Sequence, residues 1–260
     1  MTASAPQHRA VIADQFTRQA QLFAEAPVLH DAQALAALVQ AARAQANDTS
    51  LDVACGPGTV VAAFAETVGH ATGLDATEAM LGQARKLAAA RSLSNVSWQQ
   101  GCVYALPFAD GAFDIVTCRF AVHHFEAPDR AFAEMVRVCR PGGRIVLCDA
   151  VASDERVKAA AFNAMERRRD PSTIEFRTLA FLQDLFRAAG LPAPAASFYN
   201  VTVELEAVLK ASFPSGDDRD GLRALLADAI DGDTMGINTR RLGQKIWFDY
   251  AAAILAAAKP

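Results

Sequence analysis

The chain has 260 residues, of which 52% are hydrophobic and 21% are charged, so it can bury a large core and keep a charged surface. A formal net charge of −4 argues against a general nucleic-acid-binding protein, which would normally be basic. The sequence has no apolar run of about 18 residues, and its start lacks a basic head before an apolar stretch, so we expect neither a membrane span nor a signal peptide.

Apolar residues recur at helical intervals between residues 10 and 46, and Pro27 divides this stretch into two predicted helices. The polar residues 47–49 then interrupt the pattern. We therefore expect residues 1–46 to form an N-terminal helical cap and residues 47–260 to form the main domain.

Short apolar runs follow and alternate with helical patterns. The predicted strands of this part are residues 50–55, 71–75, 96–100, 113–118 and 144–149. The predicted helices between them are residues 59–68, 77–90 and 127–139. This alternation is typical of an α/β fold, in which right-handed crossovers build a parallel sheet with helices on both faces.

The pattern weakens beyond residue 149. Here the spacing predicts helices at 155–169, 178–189 and 218–230 and a strand at 198–205. The segment 245–259 is ambiguous, because its alanines favour a helix whereas the run from Ile246 to Tyr250 favours a strand.

A glycine-containing turn, Gly56-Pro57-Gly58, joins the first predicted strand to its helix. Such a turn lets the backbone approach a ligand, although a plain strand-to-helix turn has the same residues. The next strand ends at Asp75, beside this turn, where a carboxylate can accept hydrogen bonds from a ribose or cap the following helix. Together the two features favour an adenosine-containing ligand.

The turn departs from the pattern of dinucleotide sites. Val61 stands where their third glycine would be, and Asp52 places a negative charge that would repel a pyrophosphate. The same charge suits the ammonium group of an amino acid. These residues favour S-adenosylmethionine over NAD.

Five motifs in chain order resemble class I S-adenosylmethionine-dependent methyltransferases, and within them the ubiquinone/menaquinone-biosynthesis-type (type 11) small-molecule methyltransferases. The resemblance is strong over about residues 45–150. The motifs occupy residues 51–59, 73–81, 105–116, 119–125 and 134–144. The resemblance implies a Rossmann-like sheet of seven strands, mostly parallel, whose last strand is antiparallel and lies at 252–257. It also implies an acceptor-side insertion at about 151–180.

The resemblance further implies roles for individual residues. Asp52, Ala54 and Gly56 would face the methionine part of the cofactor, and Asp75 would hold the ribose. Ala76 and Met80 would flank the adenine, and Arg119 and Phe120 would lie near the sulfonium. The remaining cofactor-binding candidates are Cys55, Gly58, Cys102 and Val103. Cys102 stands where the family commonly has an aspartate, so the backbone at Val103 would bind the adenine edge instead.

Two adjacent histidines, His123 and His124, follow the fourth predicted strand at the edge where ligands bind. Each is a candidate general base for an acceptor that must lose a proton, or a residue that fixes the loop through a backbone hydrogen bond. Six apolar side chains are candidates for an acceptor pocket or for plain core: Phe16, Phe23, Phe162, Met165, Phe176 and Phe181.

We therefore predict an enzyme that transfers a methyl group from S-adenosylmethionine to a small-molecule acceptor and releases S-adenosylhomocysteine. The alternatives are a nicotinamide-dependent oxidoreductase and a non-catalytic binding protein of the same fold. The five cysteines contain no Cys-x-x-Cys pair, so we expect no structural metal and a cytoplasmic location. The acceptor and the oligomeric state, monomer or homodimer, stay open.

Overall fold

A computed structural model describes residues 5–260 of the chain, with side chains from residue 7 onward. Within these residues the helices are α1 (Ala5–Glu25), α2 (Ala32–Ala41), α3 (Thr59–Ala65), α4 (Glu78–Ala90), α5 (Pro128–Val138), α6 (Arg156–Arg169), α7 (Leu179–Ala188), α8 (Leu205–Lys210) and α9 (Arg219–Asp228). The strands are β1 (Thr49–Val53), β2 (His70–Asp75), β3 (Val96–Gln100), β4 (Phe113–Arg119), β5 (Cys139–Ala150), β6 (Ala195–Glu204), β7 (Arg240–Leu242) and β8 (Lys245–Ala258). Short 3₁₀ turns lie at Pro27–His30, Val122–His124 and Ser215–Asp217.

The strands form one sheet in the order β3-β2-β1-β4-β5-β8-β6. Strands β1 to β5 are parallel to one another, whereas β8 is antiparallel to both β5 and β6. This arrangement confirms the predicted Rossmann-like α/β fold with an antiparallel last strand. Sequence analysis missed β7, an eighth strand of three residues that pairs with the start of β8.

The last strand, β8, runs from Lys245 to Ala258 and is therefore longer than the predicted 252–257. Its alanines lie between neighbouring strands, and Ala252 and Ala253 are almost fully buried. Pairing on both sides therefore overrides the helical propensity of the alanine run.

Helices cover both faces of the sheet. On one face, α5 and α7 pack through Phe132 and Phe186, and on the other, α2 and α3 pack through Leu38 and Phe64. A third buried cluster joins α6, α8 and α9 to the start of β8, where Phe248 is fully buried. Helices α8 and α9 belong to a segment inserted between β6 and β8.

The two helices of the first 46 residues have different neighbours. Helix α2 packs against the sheet, with Leu35, Leu38 and Ala42 buried in the same cluster as α3. Helix α1 instead contacts α4 and extends over the end of the sheet where β1, β2 and β4 finish. Within residues 5–46, α1 and the turn after it therefore lie where a cap would cover a ligand, and α2 does not.

Candidate functional site

A cavity of about 550 Å³ lies at the carboxyl ends of β1, β2, β3 and β4, beneath α1. This edge of a parallel sheet is where ligands of doubly wound folds bind. The cavity is lined by eleven of the twelve predicted cofactor-binding residues: Asp52, Ala54, Cys55, Gly56, Asp75, Ala76, Met80, Cys102, Val103, Arg119 and Phe120. Gly58 and His123 are outside its lining, whereas His124 is part of it.

The two glycines of the first turn have different surroundings. A Cβ added to Gly56 would meet no atom within 4 Å, so its backbone faces open space. A Cβ on Gly58 would instead come within 2.7 Å of the Trp98 ring and 2.8 Å of Ala84. Both glycines have a positive φ, 52° at Gly56 and 82° at Gly58, which residues with a Cβ rarely adopt. Gly56 thus leaves room beside the turn, and Gly58 allows α3 and β3 to pack closely.

Asp75 connects the first turn to the start of α4. One carboxylate oxygen accepts a hydrogen bond from the Gly56 amide at 2.9 Å. The other accepts from the Thr77 amide at 2.9 Å and from the Thr77 hydroxyl at 2.6 Å. The side chain is 8% exposed, and burial raises the pKa of its carboxyl above the ordinary value. The carboxylate is therefore held in a fixed position at the cavity wall.

Asp52 is a second buried carboxyl group in the wall. Its Oδ1 accepts from the Thr117 hydroxyl at 2.7 Å. Burial raises the pKa of Asp52 to about 7, although this hydrogen bond and the nearby Arg119 act in the opposite direction. A cationic group placed beside Asp52 would favour its ionised form, so this part of the cavity suits a positively charged ligand group.

Arg119 fixes the turn that follows α1. Its guanidinium donates to the carbonyl oxygens of Leu29 at 3.2 Å and Val28 at 3.3 Å. It also lies 4.6 Å from the ring centre of Phe120. Arg119 therefore positions Leu29, which lines the cavity, as well as lining the cavity itself.

His124 has a defined tautomer. Its Nδ1 lies 3.0 Å from the carbonyl oxygen of Ser172, which can only accept, so Nδ1 carries the hydrogen and Nε2 has a free lone pair. Burial lowers the pKa of His124 to about 3, so the ring is neutral at physiological pH. Phe16 of α1 packs edge-on against this ring, with the ring centres 4.9 Å apart.

His123 is held differently. Its Nδ1 lies 2.8 Å from Asp149, and its ring stacks on Phe176 with centres 4.1 Å apart. Its carbonyl oxygen accepts hydrogen bonds from the amides of Ile174 and Glu175. The structure thus places His123 in the wall between the cavity and the loop after α6, in contact with the His124 ring.

Polar side chains of α1 extend this network. The His8 ring donates from Nε2 to the carbonyl oxygen of His124 at 2.9 Å. Gln19 donates to Asp170 at 3.3 Å, and Asp170 in turn accepts from the Ser172 hydroxyl at 2.5 Å. Helix α1 is therefore attached to the same loop that orients His124.

Sequence analysis missed several lining residues. Two of the six apolar candidates, Phe16 and Phe23, line the cavity, whereas Phe162, Met165 and Phe176 are core and Phe181 lies on another surface. The lining residues that were not singled out include His8, Arg9, Ile12, Tyr104, Phe125 and Glu126. The helical pattern of α1 was a signal for His8, Arg9 and Ile12, but the pattern does not predict which face of α1 lies towards the cavity.

No helix within residues 5–260 is long and apolar enough to cross a membrane. In the same part of the chain, no group of three or more His, Cys, Asp or Glu side chains is arranged to hold a metal ion. All five cysteines, each within that range, are free thiols.

Comparisons with known proteins agree with this geometry. Residues 51–147 match a family described as "Methyltransferase domain". The chain is 30% identical over 246 residues to the uncharacterized methyltransferase YcgJ of Bacillus subtilis strain 168, covering 94% of this chain and 97% of that protein. The crystal structure of YcgJ superposes with a TM-score of 0.80 over 87% of this chain and 98% of that one.

A second relative is the ubiquinone/menaquinone biosynthesis C-methyltransferase UbiE of Roseobacter denitrificans. It is 41% identical over 108 residues, which are 40% of this chain and 43% of that protein.

The fold and the cavity define the class of S-adenosylmethionine-dependent methyltransferases with a Rossmann-like sheet. The chain belongs to the methyltransferase family and is an enzyme of this class. Neither a nicotinamide-dependent oxidoreductase nor a non-catalytic binding protein finds support in these comparisons.

Proposed function

We propose that this cavity binds S-adenosylmethionine and a small-molecule acceptor together, beneath α1, and that the neutral His124 ring orients the acceptor. The observation that carries the proposal is the pair of buried carboxyl groups, Asp52 and Asp75, on either side of the open backbone at Gly56. A cationic amino-acid group fits Asp52, and a diol fits Asp75.

The residues fit the cofactor at each part of the cavity. Asp52 would face its ammonium group, and Asp75 would accept from its ribose hydroxyls. Ala76 and Met80 would contact the adenine together with Cys102 and Val103. The cofactor supplies a methyl group bound to a sulfonium, which is electrophilic without further activation. The chain's own residues then need to align the acceptor and exclude water.

Helix α1 supplies the apolar cover on the acceptor side. Ile12, Phe16 and Phe23 line the cavity above His124 and Phe125. These side chains favour an apolar acceptor and exclude water from the reacting atoms. Where the acceptor carries an O–H or N–H, Nε2 of His124 can accept a hydrogen bond from it and so orient it, and the carbonyl oxygen of Ser172 keeps the ring in the required tautomer. With a pKa of about 3, the ring accepts a hydrogen bond at neutral pH without taking the proton.

The expected cytoplasmic location also stays a proposal, supported by the five free thiols.

A direct test of the function has two parts. Calorimetry should detect binding of S-adenosylhomocysteine and no binding of NADH. The protein should then transfer labelled methyl groups from S-adenosylmethionine to a component of a small-molecule extract. Binding of NADH in place of S-adenosylhomocysteine would contradict the proposal.

A further inference from the structure

The outermost strand on one side of the sheet is β6, which pairs with β8 alone. Its ten residues pair in continuous register, from Ala195 opposite Ala256 to Glu204 opposite Trp247. No backbone hydrogen bond joins the other edge of β6 to any segment within residues 5–260. The N–H and C=O groups of alternate residues, those not bonded to β8, are therefore available along this edge.

The strand lacks the features that usually protect such an edge. Proteins interrupt exposed edges with charged residues, proline, bulges or a short strand. Residues 195–203 of β6 contain no charged residue and no proline, and the pairing with β8 contains no bulge. Residues 195–198 are exposed, and Phe198 is 61% exposed, which is unusual for a large apolar side chain.

We propose that β6 pairs with β6 of a second copy of this chain, antiparallel and about a two-fold axis that passes near Phe198, so that two sheets become continuous. In such a pair the residues near the axis lie close to their own counterparts, and like charges placed there would destabilise it. The uncharged run 195–203 avoids this repulsion. Glu204, at the end of the strand, would lie towards the uncharged start of the other β6.

The position of β6 is compatible with an active dimer. Strands β5 and β8 separate it from β4, the nearest strand that contributes to the cavity. Pairing through β6 therefore leaves the mouth of the cavity free. The proposal rests on the strand alone and is independent of the function assigned to the cavity.

The first test is the mass of the full chain in solution. Light scattering and sedimentation equilibrium should give twice the 27.7 kDa of one chain at micromolar concentration. A mass of one chain up to near-millimolar concentration would overturn the proposal.

The second test uses charge at Phe198. Phe198→Lys and Phe198→Asp should each be monomeric, because like charges would then meet across the axis, and an equimolar mixture of the two should form dimers again. Val157→Lys is the matched control, because Val157 is 81% exposed on α6 and this variant should stay dimeric. Ala196→Lys places a charge at a second position of β6 and should also be monomeric.

Circular dichroism will show whether each variant is folded. We expect it to be, because Phe198 and Ala196 are both exposed. If Phe198→Lys and Ala196→Lys stay dimeric, the interface lies elsewhere and the proposal is wrong. If the oppositely charged variants stay monomeric when mixed, the two copies of β6 do not meet about a two-fold axis.

Discussion

At the residue scale, burial changes the protonation of three side chains that line the cavity, Asp52, Asp75 and His124. Burial disfavours the charged form of each, so it raises the pKa of both carboxyl groups and lowers that of the imidazole. Hydrogen bonds also hold each of them, with Thr117 at Asp52, Gly56 and Thr77 at Asp75, and Ser172 at His124. Ligand binding can therefore change the protonation of Asp52 without moving it.

Asp75→Asn should weaken binding of S-adenosylhomocysteine. The substitution keeps the size of the side chain but removes the charge that would accept from two ribose hydroxyls. A charge-assisted hydrogen bond is worth about 1.5–3 kcal/mol, so we expect a loss of at least roughly tenfold in affinity by calorimetry. Asp154→Asn, at an exposed position, is the control. Wild-type affinity in folded Asp75→Asn would contradict the ribose assignment.

The affinity for S-adenosylhomocysteine should rise between pH 6 and pH 8. Asp52 has a pKa of about 7 and is mostly protonated at pH 6, so binding the cofactor's ammonium group there first requires loss of that proton. The expected change is about tenfold over this range. Asp52→Asn should bind more weakly at pH 8 and remove the pH dependence. A wild-type affinity that is flat with pH would show that Asp52 does not face a cation.

His124→Asn should lower the rate of methyl transfer to an acceptor that carries an O–H or N–H. The asparagine amide can still donate to Ser172, but the variant has no hydrogen-bond acceptor in the position of Nε2. Loss of one hydrogen bond costs about 0.5–1.5 kcal/mol, so we expect the rate to fall by up to roughly tenfold. Binding of S-adenosylhomocysteine should be retained. His70→Asn is the control, because His70 bonds to Ser97 outside the cavity lining. An unchanged rate would assign His124 a purely structural role.

At the scale of the elements, α1 and α2 are held in different ways. Both belong to the predicted cap, 1–46, yet α2 is buried against the sheet. Helix α1 contacts α4, and polar contacts attach it to the residues around His124, from His8 to His124 and from Gln19 to Asp170. Contacts of this kind are exchanged more readily with water than buried apolar packing.

Hydrogen exchange should therefore distinguish the two helices. We expect the amides of α1 to become more protected when S-adenosylhomocysteine is added, because a filled cavity gives Ile12 and Phe16 a surface to pack on. The amides of α2 serve as the internal control and should not change. Equal protection of α1 with and without ligand would mean that it is a fixed part of the fold.

Elements with a strong local signal were predicted well. The parallel strands β1 to β4 lie within a few residues of their predicted bounds, and β1, β2 and β4 are apolar runs with a helix after them. Strand β5 begins at Cys139, whereas we predicted 144–149, because Cys139 already pairs with Phe113. The pairing is then interrupted over residues 140–143, where Gly142 has a φ of 74°, and resumes at Arg144. Strand β7 was missed because three residues contain too little pattern.

At the scale of the whole molecule, the buried carboxyl groups of the cavity reduce the stability of the empty protein. A carboxyl group whose folded pKa is raised binds more protons when folded than when unfolded, so its contribution to stability falls as pH rises from about 4 to about 7. Asp52, with a pKa of about 7, is such a case. A buried carboxyl group at the proposed cofactor site trades stability for binding.

Asp52→Asn should therefore raise the melting temperature of the empty protein at pH 8. The amide oxygen can still accept from Thr117, and no charge is buried. One pKa unit corresponds to about 1.4 kcal/mol, so the gain is on the order of a few kcal/mol. At pH 4, where Asp52 is protonated in the folded state, wild type and variant should melt together. A lower melting temperature at pH 8 would show that the carboxylate is stabilised in the fold.

The sequence by itself determined the class of fold and the part of the cavity wall that contains Asp52, Gly56 and Asp75. Periodicity, the turn at Gly56 and the acid at Asp75 are local features, which can be recognised from the order of residues along a chain. The tertiary structure decided the part of the wall beneath α1, where His8 meets His124 across 116 positions and His124 meets Ser172 across 48. It also separated Gly58, which packs on Trp98, from Gly56, which faces the cavity. Such contacts depend on how elements dock in space, which no short stretch of sequence records.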